Sequence, residues 1–305
     1  MRIFLTGATG YIGSAVLDAL VRGGHDVTAL VRTPGKAEAI SHSAVRPLIG
    51  DLARAESFQA AAAECESIVH TAYDTSKAGT TVDRIAIDTF LAVAGRRADA
   101  GLPASLIYTS GVWVLGNTAD PADEDAPIDP PDLVKWRPEH ERVVLNGARG
   151  KALRTVVVRP GVVYGGARGI VGDLLKDALN GLVRVVGSGE NHWPCVYDRD
   201  LADLYLRLVT SPDAIGTFHA NDEADERVDD ILDSIARHAK MRADVRHMPL
   251  EEARAKMGPY ADALVLDQVV RSPRAKALGW APSLHSVAGN VARLLEEFRT
   301  AKEVA

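Results

Sequence analysis

Three glycines at a spacing of three residues occur in the segment TGATGYIG, at residues 6–13. The segment follows Arg2–Leu5, a short apolar run typical of a buried parallel strand. It precedes Ser14–Val21, whose apolar residues repeat with helical spacing. Gly7 would allow a tight turn, Gly10 a close approach of the backbone to a pyrophosphate, and Gly13 close packing of helix on strand. Because a helix N-terminus attracts phosphate, the segment predicts a dinucleotide site.

Strand and helix signals alternate through the first half of the chain. Strands are predicted over Asp26–Val31, Ser67–Thr71, Ala104–Thr109 and Thr155–Arg159. Helices are predicted over Ser57–Glu64, Thr81–Ala100 and Pro138–Ala148, with Gly101 as the C′ residue of the second. Such alternation indicates an α/β fold with a Rossmann-type, doubly wound parallel sheet.

The pattern becomes less regular after Arg159. The elements predicted there are helices over Gly172–Leu182, Asp200–Thr210, Asp225–Lys240 and Ser283–Arg299, and a strand over Ala243–Met248. We predict a dinucleotide-binding domain of residues 1–166, to which a segment of about residues 195–220 returns. Residues 167–305 would mainly form a smaller, substrate-binding part. Ligands of open α/β sheets bind at the carboxyl ends of the strands, so we expect a cleft there.

Composition and charge exclude several other classes of protein. The 305 residues are 47% hydrophobic and 25% charged, as in an ordinary globular domain. A net charge of −6 without a basic block argues against nucleic acid as a partner. No apolar run reaches membrane-spanning length, and the nine histidines show no metal-ligand spacing. Two isolated cysteines and a first strand that begins at residue 2 favour a cytoplasmic location.

Five further motifs follow the glycine segment in order along the chain. They are GDL at residues 50–52, HTA at 70–72, EDAP at 124–127, RPGVVYG at 159–165 and LGWAP at 278–282. Together with TGATGYIG, these motifs resemble those of the extended short-chain dehydrogenase/reductase family, in its epimerase/dehydratase-like branch. The resemblance covers almost the whole chain. It implies an NAD(P) cofactor and a small-molecule substrate.

The resemblance also implies which residues contact the cofactor. The family's GDL aspartate, here Asp51, faces the adenine, and the residues after the HTA histidine, here Thr71 and Ala72, lie beside the nicotinamide ribose. The full set implied for cofactor binding is Gly7, Thr9, Gly10, Tyr11, Ile12, Gly13, Arg32, Lys36, Asp51, Leu52, Thr71, Ala72, Thr109, Pro160, Gly161 and Val163.

The residues after the second strand favour NADP over NAD, although NAD stays possible. Binders of NAD usually carry an acidic residue there for the ribose 2′-hydroxyl. This chain instead has Arg32, followed by Thr33 and Lys36. A guanidinium suits a 2′-phosphate and can also stack on adenine.

The family's catalytic Tyr-x-x-x-Lys pair is missing from its usual place. In the family the tyrosine exchanges a proton with the substrate oxygen, and the lysine holds the ribose and lowers the pKa of the tyrosine. The usual interval places Trp136 at the tyrosine position and His140 at the lysine position. A second register, aligned on Glu141-Arg142, gives Leu133 and Arg137 instead.

The serine or threonine that polarises the substrate oxygen in the family is also displaced. Its position falls on Gly111, directly after Thr109 and Ser110. The chain's one Tyr-x-x-x-Lys, Tyr73–Lys77, follows the fourth strand, and we interpret it as a chance match in a loop. Because Tyr73 comes directly after Ala72, its phenol could still border the nicotinamide and serve as an alternative proton donor.

Two residues could take the place of the missing lysine. Arg137 could hold the ribose hydroxyls, but it stays protonated and cannot act as a base. His140 could act as a general acid or base, but the pattern around it favours a solvent-facing first turn of a helix. Trp136 could form a wall of the pocket or pack in the core.

The residues expected to contact substrate are Trp136, Tyr164, His192 and Trp193. The last two lie in the segment NHWP at residues 191–194, where the family places substrate-facing residues, and a structural turn is the equal alternative.

With Ser110, Tyr73, Arg137 and His140 as catalytic candidates, two functions stay open. One is an NADP-dependent oxidoreductase or epimerase/dehydratase-like enzyme acting on a carbonyl, hydroxyl or sugar-like substrate. The other is a non-catalytic NADP(H)-binding sensor.

A homodimer is the expected assembly. In this family, the helices predicted over Thr81–Ala100 and Pro138–Ala148 commonly pair with their copies. The first of them carries more apolar surface than one sheet contact needs, at Ile85, Ile87, Phe90, Leu91 and Val93.

Overall fold

The computed structural model describes residues 1–118, 120–150, 152–238 and 244–304. The chain forms two compact units. The first unit comprises Met1–Ser110, Trp136–Arg159 and Leu201–Phe218, and the second Gly111–Lys135, Pro160–Asp200 and His219–Ala305. Residues 111–135, which lie within the predicted 1–166 domain, therefore pack with the second unit.

Thirteen strands and twelve helices are assigned in the part of the chain that the structure describes. The strands are β1 (Arg2–Thr6), β2 (Asp26–Val31), β3 (Val45–Ile49), β4 (Ser67–His70), β5 (Ala104–Thr109), β6 (Leu153–Pro160), β7 (Val162–Tyr164), β8 (Leu182–Val186), β9 (His192–Trp193), β10 (Cys195–Tyr197), β11 (Gly216–Ala220), β12 (Glu226–Arg227) and β13 (Asp244–Met248). The helices are α1 (Tyr11–Arg22), α2 (Pro34–Ala39), α3 (Gln59–Ala63), α4 (Gly79–Asp99), α5 (Arg137–Asn146), α6 (Gly169–Leu179), α7 (Asp198–Thr210), α8 (Val228–His238), α9 (Leu250–Met257), α10 (Tyr260–Leu264), α11 (Pro273–Ala277) and α12 (Val291–Val304).

A seven-stranded sheet in the order β11-β6-β5-β4-β1-β2-β3 confirms the predicted Rossmann-type fold. The pairs from β6 to β3 are parallel. The strand order reverses between β1 and β4, and the crevice at such a reversal is where ligands bind. In register across this point, Thr6 of β1 is beside His70 of β4, and His70 is beside Tyr108 of β5. Three polar side chains thus lie in one row at the carboxyl ends of three neighbouring strands.

The core of the first unit is centred on three aromatic rings. Phe4, Phe58 and Phe90 are fully buried, and their ring centroids lie 5.4 to 6.2 Å apart. Phe90 belongs to α4, so this cluster fixes the helix against the sheet, since buried aromatic side chains supply much of a core's stability. As predicted, Gly101 follows α4 in a left-handed conformation, with φ of 75°.

The second unit has its own apolar core, which includes Trp193, Ile231 and Phe298. The predicted helix over Ser283–Arg299 is wrong at its start, because α12 begins only at Val291. The Glu226 carboxylate accepts hydrogen bonds from the Ser286 hydroxyl and from the backbone N–H groups of residues 287 and 288. These contacts hold residues 286–288 outside the helix. The predicted ends at Lys240 and Ala243 lie outside the described residues.

One buried ion pair ties α5 to the end of β6. The Arg159 guanidinium donates to both carboxylate oxygens of Glu141, with Nη2 at 2.6 Å from Oε2 and Nε at 3.1 Å from Oε1. Both side chains are buried. A bidentate arginine–carboxylate pair fixes geometry as well as charge, so it orients α5 on the sheet.

We expect Glu141→Gln to lower the free energy of unfolding by about 3–5 kcal/mol, because it removes the negative charge beside a buried guanidinium. Urea unfolding measures the change. The matched control is Glu139→Gln, on the exposed side of the same helix, where Glu139 pairs with Arg142. It should cost less than about 1 kcal/mol. Equal effects of the two substitutions would contradict the assignment.

Candidate active site

The glycine turn brings α1 against the ends of β1 and β4. Gly7 has a φ of 78°, and its carbonyl accepts from the Gly10 N–H at 2.7 Å. A Cβ on Gly13 would overlap the Gly7 carbonyl, and a Cβ on Gly7 would lie 2.7 Å from the Ala72 nitrogen. Gly10 is the N-cap of α1, so the cap offers no side-chain oxygen to the first N–H groups of the helix. This arrangement is suited to a phosphate.

A cavity of about 440 Å³ lies over this turn, entirely within the first unit. Twelve of the sixteen residues predicted to bind cofactor line it: Gly7, Thr9, Gly10, Tyr11, Ile12, Gly13, Arg32, Lys36, Asp51, Leu52, Thr71 and Ala72. Further lining residues that the sequence analysis did not select are Thr6, Leu30, Val31, Gly50, Asp74, Thr75 and Val82. Four of these lie at or directly after the ends of β1, β2 and β3, namely Thr6, Leu30, Val31 and Gly50, and that position is the signal that could have found them.

Arg32 and Lys36 lie at the side of the cavity that follows β2. Arg32 is exposed directly after this strand, and the Thr33 hydroxyl caps α2 by accepting from the Lys36 N–H. The Asp51 carboxylate follows β3, where it accepts from the Ala53 N–H at 3.0 Å. Two cations and one carboxylate therefore line the cavity after the neighbouring strands β2 and β3.

Tyr73 begins an aromatic stack at the cavity, on the side that follows β4. Its ring is stacked on Trp136, with centroids 5.5 Å apart and 9° between the planes. The Arg137 guanidinium lies 4.6 Å from the Trp136 centroid and 5.3 Å from that of Tyr73. Arg137 also donates to the Thr109 carbonyl at 3.3 Å. Tyr73 and Lys77 lie in the loop before α4, so they do not share a helix.

His140 is buried, which corrects the expectation of a solvent-facing turn. Its Nδ1 lies 2.7 Å from the carboxylate of Asp83, a residue of α4. The same carboxylate accepts from the Tyr108 hydroxyl at 2.8 Å and from His70 Nε2 at 3.2 Å. The sequence analysis did not select Asp83, because one aspartate in an amphipathic helix carries no distinguishing pattern.

The hydrogen bonds to Asp83 determine its charge. Burial by itself would raise the pKa of this carboxyl, but the hydrogen bonds from His140, His70 and Tyr108 outweigh burial and hold the pKa well below its usual range. Burial, together with the Asp83 charge, raises the pKa of the Tyr108 phenol. Asp83 is therefore a buried anion, and Tyr108 is its neutral donor.

Ser110 and Thr109 differ in what their hydroxyls contact. The Ser110 hydroxyl is buried and has no hydrogen-bond partner among the residues that the structure describes. The Thr109 hydroxyl lies 2.5 Å from that of Tyr205. Thr109 thus has its hydroxyl and its carbonyl engaged, while Ser110 keeps a hydroxyl able to bond to another group.

Five predicted residues of the first unit are not among those that line the cavity: Thr109, Ser110, Trp136, Arg137 and His140. The remaining predicted residues belong to the second unit and do not line it either: Pro160, Gly161, Val163, Tyr164, His192 and Trp193. Tyr164, which was expected to contact substrate, has a fully buried side chain whose hydroxyl donates to Asp222. Trp193 is also buried, and its Nε1 donates to the Leu264 carbonyl. His192 is partly exposed, and its Nδ1 lies 2.7 Å from Oδ1 of Asp267.

The fold and the cavity define a Rossmann-type dinucleotide-binding protein. The model of the NAD dependent epimerase/dehydratase family matches residues 3–221, and the chain belongs to this family. Within the described ranges, no helix is long and apolar enough to cross a membrane, and no group of three or more metal-ligating side chains is present.

Curated relatives cover most of the chain. Uncharacterized protein YLL056C of Saccharomyces cerevisiae is 30% identical over 92% of this chain and 95% of its own length. A 4-hydroxy-2-methyl-3-oxo-4-farnesyl-3,4-dihydroquinoline-1-oxide ketoreductase of Stigmatella aurantiaca is 26% identical over 84% of this chain and 78% of its own length.

Solved structures share the fold. The Thermus thermophilus UDP-glucose 4-epimerase in complex with NAD has a TM-score of 0.78 at 22% identity, over 98% of this chain and 99% of its own. Human epimerase family protein SDR39U1 with NADPH has a TM-score of 0.75 at 22% identity, over 97% of this chain and 99% of its own.

We expect Gly13→Ala to weaken NADPH binding about 5- to 150-fold, since the added methyl group pushes α1 from the turn at a cost of about 1–3 kcal/mol. Calorimetric titration measures the affinity, and thermal unfolding verifies that the variant is folded. Gly35→Ala is the control, because a Cβ there meets no atom within 4 Å. A Gly13 variant with wild-type affinity would show that the close packing of α1 against the Gly7 carbonyl is not needed for binding.

Proposed function

We propose that the protein is an NADP-dependent oxidoreductase that acts on a small carbonyl, hydroxyl or sugar-like compound. The observation that carries the proposal is the cavity of the first unit, where a phosphate-suited glycine turn lies between Arg32 after β2 and Tyr73 after β4. These two strands flank β1 on opposite sides. A dinucleotide on the turn would therefore have its adenosine near Arg32 and its nicotinamide near Tyr73.

The preference for NADP is supported by this chain's own charges. Arg32 and Lys36 line the cavity directly after β2, and no acidic residue stands at the end of that strand to bind a ribose 2′-hydroxyl. Structural neighbours occur with NAD and with NADPH. The choice therefore depends on these side chains, which suit a 2′-phosphate.

The bound cofactor would supply or accept a hydride, and the protein must supply the proton and polarise the substrate oxygen. Ser110 fits the second task, since its hydroxyl has no partner in the described part of the chain. Tyr73, which is 47% exposed at the cavity, fits the role of proton donor, and His140 is the alternative. Arg137 fits the task of positioning the stack through Trp136 and the Thr109 carbonyl.

A ketoreductase among the relatives supports reduction of a carbonyl compound over epimerisation or dehydration. The competing role is that of an NADP(H) sensor without catalysis. It is favoured by the sequence around α5, which has no Tyr-x-x-x-Lys in either register, since one gives Trp136 and His140 and the other Leu133 and Arg137. Turnover decides between the two.

A cytoplasmic homodimer remains part of the proposal. Helix α4 offers a partner less apolar surface than the sequence predicts, because Ile87, Phe90 and Val93 are buried in the core of the first unit. Ile85 and Leu91 are the apolar residues of that set which stay partly exposed for a partner helix.

NADPH should bind more tightly than NADH, and Arg32→Ala should remove most of the difference. A charge-assisted contact to the 2′-phosphate contributes about 1.5–3 kcal/mol, or roughly 10- to 150-fold in affinity. Calorimetric titration with both cofactors measures the ratio. Arg46→Ala is the control, because Arg46 pairs with Glu64 and does not line the cavity. An unchanged ratio in the Arg32 variant would rule out this origin of the preference.

A screen of carbonyl compounds with NADPH should reveal turnover, and Ser110→Ala should lower kcat about 100-fold by removing the group that polarises the oxygen. Tyr73→Phe should lower kcat about 10²- to 10⁴-fold if the phenol donates the proton. Thr155→Val is the control, because Thr155 has another buried hydroxyl without a partner among the described residues. Fast turnover in both variants would show that these roles are wrongly assigned, and tight NADPH binding without any turnover would favour the sensor.

A further inference from the structure

Asp83 is a buried carboxylate that has none of the roles proposed for Ser110, Tyr73 and Arg137. It is 4% exposed, and its three donors, His70, Tyr108 and His140, are buried as well. Removing a carboxylate from water is unfavourable unless it is fully paired, and apolar side chains could fill the same volume. What a carboxylate adds is the ability to select the proton positions of its neighbours, since it can only accept hydrogen bonds.

The two histidines that contact Asp83 are held differently. His70 uses both ring nitrogens, because Nε2 faces Asp83 and Nδ1 lies 2.6 Å from the Thr6 hydroxyl. His140 uses only Nδ1, which must carry a hydrogen in order to donate to Asp83. Its Nε2 has no hydrogen-bond partner among residues 1–118, 120–150, 152–238 and 244–304. The His140 side chain keeps 6% of its surface exposed.

The His140 imidazole does not itself line the cavity, but ring contacts lead from it through Trp136 to Tyr73, which does. The His140 ring meets Trp136 edge-on, with centroids 4.9 Å apart. Trp136 is stacked on Tyr73, and Tyr73 lines the cavity. A histidine whose Nδ1–H is held by a carboxylate presents Nε2 in one defined state, as a proton-transferring imidazole requires.

We propose that Asp83 is a positioning residue, which holds the Nδ1–H of His140 so that Nε2, rather than the Tyr73 hydroxyl, is the atom that gives or takes the substrate's proton. The proposal rests on the proposed oxidoreductase function. In the direction of reduction, the carbonyl π bond breaks, the carbon gains the hydride of NADPH, and the oxygen gains the proton of the imidazolium Nε2. NADPH is oxidised to NADP⁺, and the neutral imidazole, still bonded to Asp83, regains a proton from solvent.

The first test is the tautomer of His140, which needs no substrate. Protein labelled with ¹⁵N-histidine is studied by NMR at about pH 9, where imidazoles are ordinarily neutral, and the His140 signals are assigned with His140→Gln. The wild type should show hydrogen on Nδ1, and Asp83→Asn should lose this preference. Asp88→Asn, on the exposed side of α4, should match the wild type. A wild type with hydrogen on Nε2, or an Asp83→Asn protein with an unchanged tautomer, would overturn the positioning role.

The second test uses a carbonyl substrate found in the screen. Asp83→Asn and His140→Gln should each lower kcat, the latter by about 10²- to 10⁴-fold, with NADPH affinity unchanged. The double variant should be no slower than His140→Gln alone, because the two residues act as one unit. Multiplying losses would overturn the coupling. If the wild type reduces no carbonyl compound, the proposed function and the proton transfer both fail, while the tautomer result still decides whether Asp83 positions His140.

Discussion

The close approach of α1 to the ends of β1 and β4 is the constraint on which the rest of the site depends. No side chain fits between Gly7 and Gly13, and a Cβ at Gly7 would collide with the backbone of Ala72. Because the backbones meet here, the start of α1 and the residues after β2 and β4 line one cavity. The helix dipole and the peptide N–H groups then face the same space, which favours an anion without any positive side chain.

A second constraint is electrostatic. Parallel pairing places Thr6, His70 and Tyr108 in one row at the carboxyl ends of neighbouring strands. Polar groups that are buried in this way need partners, and Asp83 of α4 supplies one carboxylate for two of them and for His140 of α5. The network therefore joins the cavity wall at Thr6 to two helices. Its low-dielectric surroundings strengthen each contact, so that loss of one member affects the others.

The two halves of the site relate differently to the family. The half that would hold the adenosine and the phosphates keeps the family's motifs at Gly7–Gly13 and Asp51. The half where chemistry would occur has an aromatic stack of Tyr73 and Trp136 with the Arg137 guanidinium over it. Such a stack is held by ring faces and a cation, so it is partly apolar, in contrast to a tyrosine–lysine pair.

Local features of the sequence were sufficient for the fold and for most of the cofactor cavity. The glycine spacing and the alternation of strands and helices depend on turn geometry and periodicity, which neighbouring residues determine, and the implied contacts from Gly7 to Ala72 lie at these strand ends. Only the tertiary structure decided the rest. The start of α12 depends on the hydrogen bond from the Val287 N–H to Glu226, and the Tyr164 hydroxyl is buried where it donates to Asp222. In each contact the two residues are more than 50 positions apart in the chain. The buried His140 is paired with Asp83 of another helix, a residue 57 positions away in the chain that no local pattern could identify.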